Sequence, residues 1–221
     1  MPPMPEPTVP APWQRRTPNA LTIARVVLAA AVFIVLSAFV GPAAQDGLTA
    51  DRIPLLVAGT LFILAAATDA LDGHLARRWH VVTLFGRVVD PFADKILILG
   101  CFICLAGPVF ADPRGVMLSG VHSWMVVVLL ARELLVTTLR GVYESRGVDF
   151  SATASGKFKM ILQSVAVPII LLALAFDPAQ PGSPVRWVVI ATAWTTTLVT
   201  AWSGVPYVMR AWRVSRSGGA A

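Results

Sequence analysis

Residues 68–95 read TDALDGHLARRWHVVTLFGRVVDPFADK and join the end of one long apolar run, Ile53–Ala70, to the start of another, Val88–Gly107. The stretch sets four acids, Asp69, Asp72, Asp90 and Asp94, at the inner ends of those runs. A membrane-spanning helix needs roughly 20 mostly apolar residues. Four further runs meet that description: Leu21–Val40, Ser123–Leu139, Met160–Phe176 and Trp187–Met209. Backbone groups facing lipid must be satisfied within their own segment, and the runs lack the period-two alternation of barrel strands. The expected fold is all-α: an integral membrane protein of six transmembrane helices.

Composition agrees. Only 14% of the 221 residues are charged and 56% are hydrophobic, whereas soluble domains carry about 25% charged residues. The mean hydropathy is +0.72. Gly41-Pro42, Gly107-Pro108 and Asp177-Pro178 punctuate the runs as loops. The first run is too long for a cleavable signal peptide, and no small-residue cleavage site follows it. Residues 1–14 are proline-rich with almost no charge and are expected to be disordered. Residues 15–213 are expected to form one six-helix membrane domain, and 214–221 a flexible tail.

Charge sets the orientation. With the N-terminus in the cytoplasm, the inner segments hold Arg15, Arg16, Arg77, Arg78, Arg146, Lys157, Arg210, Arg213 and Arg216, and the outer loops only Arg52, Arg114 and Arg186. The positive-inside rule then puts both termini in the cytoplasm. The basic residues sit at helix ends beside anionic lipid, which accounts for the pI near 10.1 better than nucleic acid does. Cys101 and Cys104 form a CxxC inside an apolar run with no second pair, which argues against zinc or redox chemistry. His74, His80 and His122 likewise have no second ligand at metal spacing.

An acid near the bilayer centre costs about 2.5–3.5 kcal/mol on insertion scales, so the four acids should face a wet cavity, a cation or both. Asp69 and Asp72 are i, i+3, and Asp90 and Asp94 are i, i+4, so each pair shares a helix face. A short basic loop between antiparallel helices would bring both pairs to one cytoplasmic level. Hard oxygen ligands at that density suit Mg²⁺ or Mn²⁺, with room for two ions. Gly73 allows close backbone approach by a ligand, Ala76 keeps the next turn slim, and Gly86 leaves room where the third helix begins. Arg77 offers a planar fork for a diphosphate oxygen. The alternative is a structural cluster in which the acids pair with Arg77, Arg78, Arg87 and Lys95; the interleaved glycines and arginine favour catalysis.

These residues resemble the CDP-alcohol phosphatidyltransferases, whose signature is D-x2-D-G-x2-A-R-x8-9-G-x3-D-x3-D. Asp69, Asp72, Gly73, Ala76, Arg77, Gly86, Asp90 and Asp94 fill all eight fixed positions within 26 residues. The resemblance implies that Asp69, Asp72 and Asp90 ligate metal, and that Asp94 lies by the second metal and serves as general base. Gly73, Ala76, Arg77 and Gly86 would receive the CDP-lipid. The metals would grip the diphosphate of CDP-diacylglycerol while the acceptor hydroxyl attacks the β-phosphorus and CMP leaves. The resemblance further implies a homodimer in the cytoplasmic (inner) membrane of a bacterium, or an organellar equivalent, with the site facing the cytoplasm.

The acceptor must be read elsewhere. Residues 18–25, PNALTIAR, precede and enter the first run, and Arg25 there either snorkels to the interface or contacts a phosphate or headgroup. The fourth run carries Arg132, Glu133 and Arg140, and the fifth opens with SGKFK, residues 155–159. Charges inside a membrane segment are functional by default, though Arg132 and Glu133 also suit an ion pair. Lys157 and Lys159 are i, i+2 and should not both enter one pocket from a regular helix. All three patterns resemble the phosphatidylglycerophosphate synthases of that family, which implies glycerol 3-phosphate as acceptor, its phosphate held by Arg25, Arg132, Arg140 and Lys157 or Lys159. Alternatives are the same chemistry with phosphatidylglycerol (a cardiolipin synthase) or inositol phosphate, and, in another class, a divalent-cation transporter. Transporters place ion sites near the midplane in repeated halves, and no repeat is visible.

Overall fold

The computed structural model describes residues 12–40, 52–79, 84–112, 114–148, 154–177 and 182–218; the side chains of 12–19, 39, 70–79, 84–88, 90 and 217–218 lie outside that description. Six long α-helices follow one another: α1 Pro12–Ile34, α2 Arg52–Trp79, α3 Leu84–Leu105, α4 Ser123–Ser145, α5 Ala154–Phe176 and α6 Pro184–Gly218. No strand occurs among the described residues, so the all-α expectation holds.

Most helices outrun the apolar segments that announced them. α1 starts at Pro12, where a proline's missing N–H is harmless and its φ preset; a π-helical turn, Val35–Phe39, ends it. α2 continues past Ala70 to Trp79, so the first half of the signature is helical. α6 runs to Gly218, beyond the tail boundary at residue 213, because its last turns contain no helix breaker. Arg216 lies 4.8 Å over the Trp212 ring one turn earlier and supports that extension. Of residues 1–14, expected to be disordered, 12–14 open α1 and the rest lie outside the described residues.

Four helices contain a stretch long and apolar enough to cross a membrane: Ala20–Ala38, Arg52–Asp69, Ala154–Phe176 and Pro184–Arg216. The expected six are thus present as helices, and four of them carry such a stretch among the described residues. α3 carries Asp94 and Lys95, and α4 carries Arg132, Glu133 and Arg140. At 35 residues, α6 extends about 52 Å and exceeds the hydrocarbon thickness of about 30 Å. Large apolar side chains point outward along the bundle, among them Val27, Leu134, Ile161, Leu198 and Trp202, each about 60% exposed or more. Such a belt needs an apolar solvent. The chain is a multi-pass membrane protein.

Packing departs from chain order. α1 packs against α2 and α3, α2 against α5, and α6 against α4 and α5. Ala29, Val32 and Leu36 of α1, Ala58 and Phe62 of α2, Cys101 and Leu105 of α3, Leu129 of α4 and Ile170 of α5 form the dry core. Cys101 is a buried free thiol and Cys104 is free as well. The near ends of α2 and α3, where the short basic loop is expected to pair them, have side chains that lie largely outside the described residues; among the rest, α1 lies against both helices. At the far end, Gly120 adopts φ +67°, and a Cβ there would approach Ile190 Cα of α6 to 3.0 Å, so glycine suits both the turn and the close approach.

Candidate active site

Arg25 of α1 organises the acidic end of the bundle. Its side chain is wholly buried, and Nη1 lies 2.9 Å from Asp69 Oδ1 and 2.9 Å from Asp94 Oδ1. Burying a guanidinium demands anionic partners, and two helices supply one each: Asp69 from α2 and Asp94 from α3. The two carboxylate oxygens lie within twice 2.9 Å of each other, so they converge on one cationic point.

That convergence suits hard-cation chemistry. Among the described residues no group of three or more His, Cys, Asp or Glu could hold a metal. Asp72 and Asp90 would complete such a group, and their side chains lie outside the described residues, as do those of Gly73, Ala76, Arg77 and Gly86. Their backbone is helical in α2 and α3, which sets Asp72 one turn beyond Asp69 and Asp90 one turn before Asp94. Pro91, inside α3 between those last two acids, withholds one helical hydrogen bond at the acidic turn.

Beside Asp94 opens a cavity of about 820 Å³ between α3, α4 and α5, closed on one side by Tyr207 of α6. Lys95, Arg132, Arg140, Lys157 and Lys159 border it, against the acids Asp94, Glu133 and Glu144. Cations outnumber acids, so the cavity favours a small anion. Four residues expected to hold an acceptor phosphate therefore share one chamber with Asp94. Arg25 is not among the described residues that border it, and the structure gives that residue to the acids instead.

The cations differ in their surroundings. Arg132, Glu133 and Lys159 are all under 9% exposed. Arg132 Nη1 lies 3.2 Å from Glu133 Oε1, and the Lys159 ammonium binds the same oxygen. The ion pair anticipated for Arg132 and Glu133 is thus present, extended across to α5. Arg140 is half-exposed and pairs at 3.3 Å with Glu144 one turn on. Lys157 and Lys159 both border the cavity despite their i, i+2 spacing, because Lys159 runs inward to Glu133 whereas Lys157 is exposed at the rim.

Of the other polar residues at or behind this chamber, the sequence offers only Lys95, as a candidate ion-pair partner of the acids. Lys95 follows the last acid of the signature and donates to Thr137 Oγ1, tying α3 to α4. Gln163, Thr200 and Ser203 read as ordinary members of apolar runs. Only their spacing marked them: Gln163 stands one turn after Lys159, and Thr200, Ser203 and Tyr207 stand i, i+3 and i+7 on α6.

Comparison with known proteins places this arrangement. Residues 15–199 match the family model described as CDP-alcohol phosphatidyltransferase. A probable phosphatidylglycerophosphate synthase of Mycobacterium tuberculosis is 38% identical over 195 residues, covering 88% of this chain and 81% of that protein. The CDP-diacylglycerol–glycerol-3-phosphate 3-phosphatidyltransferase of Bacillus subtilis is 35% identical over 156 residues, covering 70% and 76%. That of Mycoplasma pneumoniae is 31% identical over 191 residues, covering 82% and 80%. The match takes in the acidic helices and both helices that carry the cavity's buried cations, and the chain belongs to the CDP-alcohol phosphatidyltransferase family, a membrane-bound transferase of phospholipid biosynthesis.

Proposed function

We propose that the chain transfers the phosphatidyl group of CDP-diacylglycerol to glycerol 3-phosphate, giving phosphatidylglycerophosphate and CMP. One observation carries the choice of acceptor: Asp94 and the cations Arg132, Arg140, Lys157 and Lys159 border a single cavity. A dianionic headgroup held by those cations has its free hydroxyl within reach of the acidic end. The names of the relatives point to the same acceptor.

Asp69, Asp72, Asp90 and Asp94 would hold Mg²⁺ or Mn²⁺, two ions in the favoured arrangement, and the convergence of Asp69 and Asp94 on one point fits that donor chemistry. Bound there, the metal supplies positive charge to the diphosphate and to the departing CMP. Gly73, Ala76, Arg77 and Gly86 would receive the CDP-lipid, as the signature they fill implies. Asp94 takes the proton of the acceptor hydroxyl as that oxygen bonds to the β-phosphorus; the bond from that phosphorus to the bridging oxygen breaks, and CMP leaves with it. A carboxylate is a weak base for an alcohol, so positioning supplies most of the acceleration. Arg25 holds two of the four acids in register from a third helix.

In this reading α3 and α4 also cross the bilayer, with their charges turned into the protein rather than toward lipid. Both termini and the site then face the cytoplasm of a bacterial inner membrane, as the arginine distribution favours. A homodimer is the expected assembly.

The test compares acceptors by CMP release from CDP-diacylglycerol in purified protein. Glycerol 3-phosphate should be used in the presence of Mg²⁺ or Mn²⁺ and lost on chelation. Turnover with phosphatidylglycerol or inositol phosphate but not glycerol 3-phosphate would overturn the acceptor, and metal uptake into proteoliposomes without CMP release would point to transport.

A further inference from the structure

Behind the two buried cations of the cavity stands a polar face of α6. Thr200 and Ser203 are wholly buried, and Tyr207 is 3% exposed. Arg132 Nε donates to Ser203 Oγ at 3.0 Å, and that hydroxyl donates in turn to the Thr200 carbonyl at 2.7 Å. The Arg132 guanidinium lies 5.7 Å over the Tyr207 ring. Gly204 lets the arginine stem pass: a Cβ there would touch Arg132 Cγ at 3.4 Å. A second arm reaches the lysine. Lys159 Nζ donates to Gln163 Oε1 at 3.3 Å, and Gln163 Nε2 donates to Thr200 Oγ1 at 3.0 Å. Both arms thus end on consecutive turns of α6.

A long cationic side chain in a wet cavity samples many rotamers unless its head is held. Glu133 fixes where Arg132 and Lys159 meet, but one carboxylate oxygen cannot set the plane of a guanidinium. Ser203 below and Tyr207 beside it do. Gln163, anchored by Thr200, does the same for the ammonium. A core polar network of this kind has no need to exist for packing, because apolar residues of similar volume would fill the space at no desolvation cost.

We propose that Thr200, Ser203 and Tyr207 are positioning residues that hold Arg132 and Lys159 in the geometry needed to bind the phosphate of the acceptor. The shared signature spans residues 69–94 and gives them no role. The inference rests on the proposed function for the acceptor's identity, but its chemical content is recognition of a phosphate monoester.

The experiment uses full-length protein in detergent with CDP-diacylglycerol micelles. Ser203→Ala removes one hydroxyl and little volume, and Thr200→Val and Thr200→Ser form a matched pair that removes or keeps the other. Ser203→Ala and Thr200→Val should each raise the KM for glycerol 3-phosphate by about tenfold, the effect of one lost hydrogen bond to a charged group or its support. The KM for CDP-diacylglycerol should stay within about twofold, since the acids that would meet the CDP-lipid stand on other helices, and Thr200→Ser should behave as wild type. Unchanged acceptor KM in both variants overturns the inference while leaving the enzyme's function intact, as does an equal rise in both KM values. If wild type does not use glycerol 3-phosphate, the acceptor assignment fails. The inference then stands or falls on binding of inorganic phosphate to the purified protein: weaker binding in Ser203→Ala than in wild type supports it, and equal or absent binding in both overturns it.

Discussion

Arg25 Nη1 and Asp94 Oδ1 meet at 2.9 Å across 69 residues of chain, and this contact fastens α1 to the acidic turn of α3. The same nitrogen holds Asp69 of α2. Three helices are thereby pinned at one acidic point. The guanidinium is buried and planar, so it fixes direction as well as charge.

Removing Arg25 should therefore impair chemistry rather than acceptor binding. Arg25→Gln is expected to lower kcat by on the order of tenfold or more, from the loss of charge-assisted bonds of about 1.5–3 kcal/mol each. The KM for glycerol 3-phosphate should move by less than about twofold, because Arg25 does not border the acceptor cavity among the described residues. Arg25→Lys should restore part of the rate, since an ammonium supplies the charge but not the fork. A large rise in acceptor KM with kcat preserved would return Arg25 to the acceptor site.

Asp94→Asn separates base from scaffold. An amide oxygen still accepts from Arg25, so the thermal midpoint in detergent should shift little. Turnover should fall by about 10²–10⁴-fold, the usual worth of a general base, with CDP-diacylglycerol binding largely retained. Residual activity near the wild-type rate would sink the assignment.

The all-α membrane fold was legible because it is written locally. Apolar runs announce helices by composition alone, and Asp69, Asp72, Asp90 and Asp94 sit at spacings that declare a shared face. What could not be read is which helices touch. Arg25 reads in sequence as an interfacial anchor or a phosphate contact because its acidic partners are 44 and 69 residues away, and no local pattern encodes the approach of α1 to α2 and α3. Thr200 and Ser203 were hidden for a different reason. A threonine or serine in an apolar helix commonly satisfies its hydroxyl on its own backbone, and only tertiary structure distinguishes that from a support for Arg132.

Glu133 is the shared anion of two buried cations, and its removal leaves them facing each other. Glu133→Gln should destabilise the protein by about 3–5 kcal/mol, the range for breaking a buried ion pair. The double change Glu133→Gln with Lys159→Met should recover much of that loss, because one uncompensated charge leaves with the lysine. Thermal unfolding in detergent of the two single variants and the double one gives the coupling directly. Additive losses would mean that Glu133 and Lys159 do not depend on each other.

Arg140 offers the contrasting case at the cavity mouth. Its pair with Glu144 is solvent-exposed, at 41% and 48%, and exposed pairs contribute about 0–1 kcal/mol. Arg140→Ala should leave the unfolding midpoint nearly unchanged yet raise the KM for glycerol 3-phosphate several-fold. The difference from wild type should shrink as salt is added, because the attraction it removes is screened over roughly 10 Å at 0.1 M ionic strength. An unchanged KM at low salt would exclude Arg140 from acceptor capture.

The seam between α1 and α3 connects packing to chemistry. A Cβ at Gly100 would fall 2.3 Å from Phe33 Cζ and 2.6 Å from Cε1, so even alanine at this position forces the ring aside or the helices apart. Overpacking of this kind typically costs about 1–3 kcal/mol, and the mobility of a ring edge favours the lower part of that range. Gly100 stands six residues after Asp94 on the same helix, so a displaced α3 also loosens the contact with Arg25. Gly100→Ala should lower both the unfolding midpoint and kcat, with the acceptor KM little affected. Phe33→Leu in the same chain should relieve the clash and restore most of both. Recovery of stability without recovery of kcat would show that the seam supports the fold but does not set the position of Asp94.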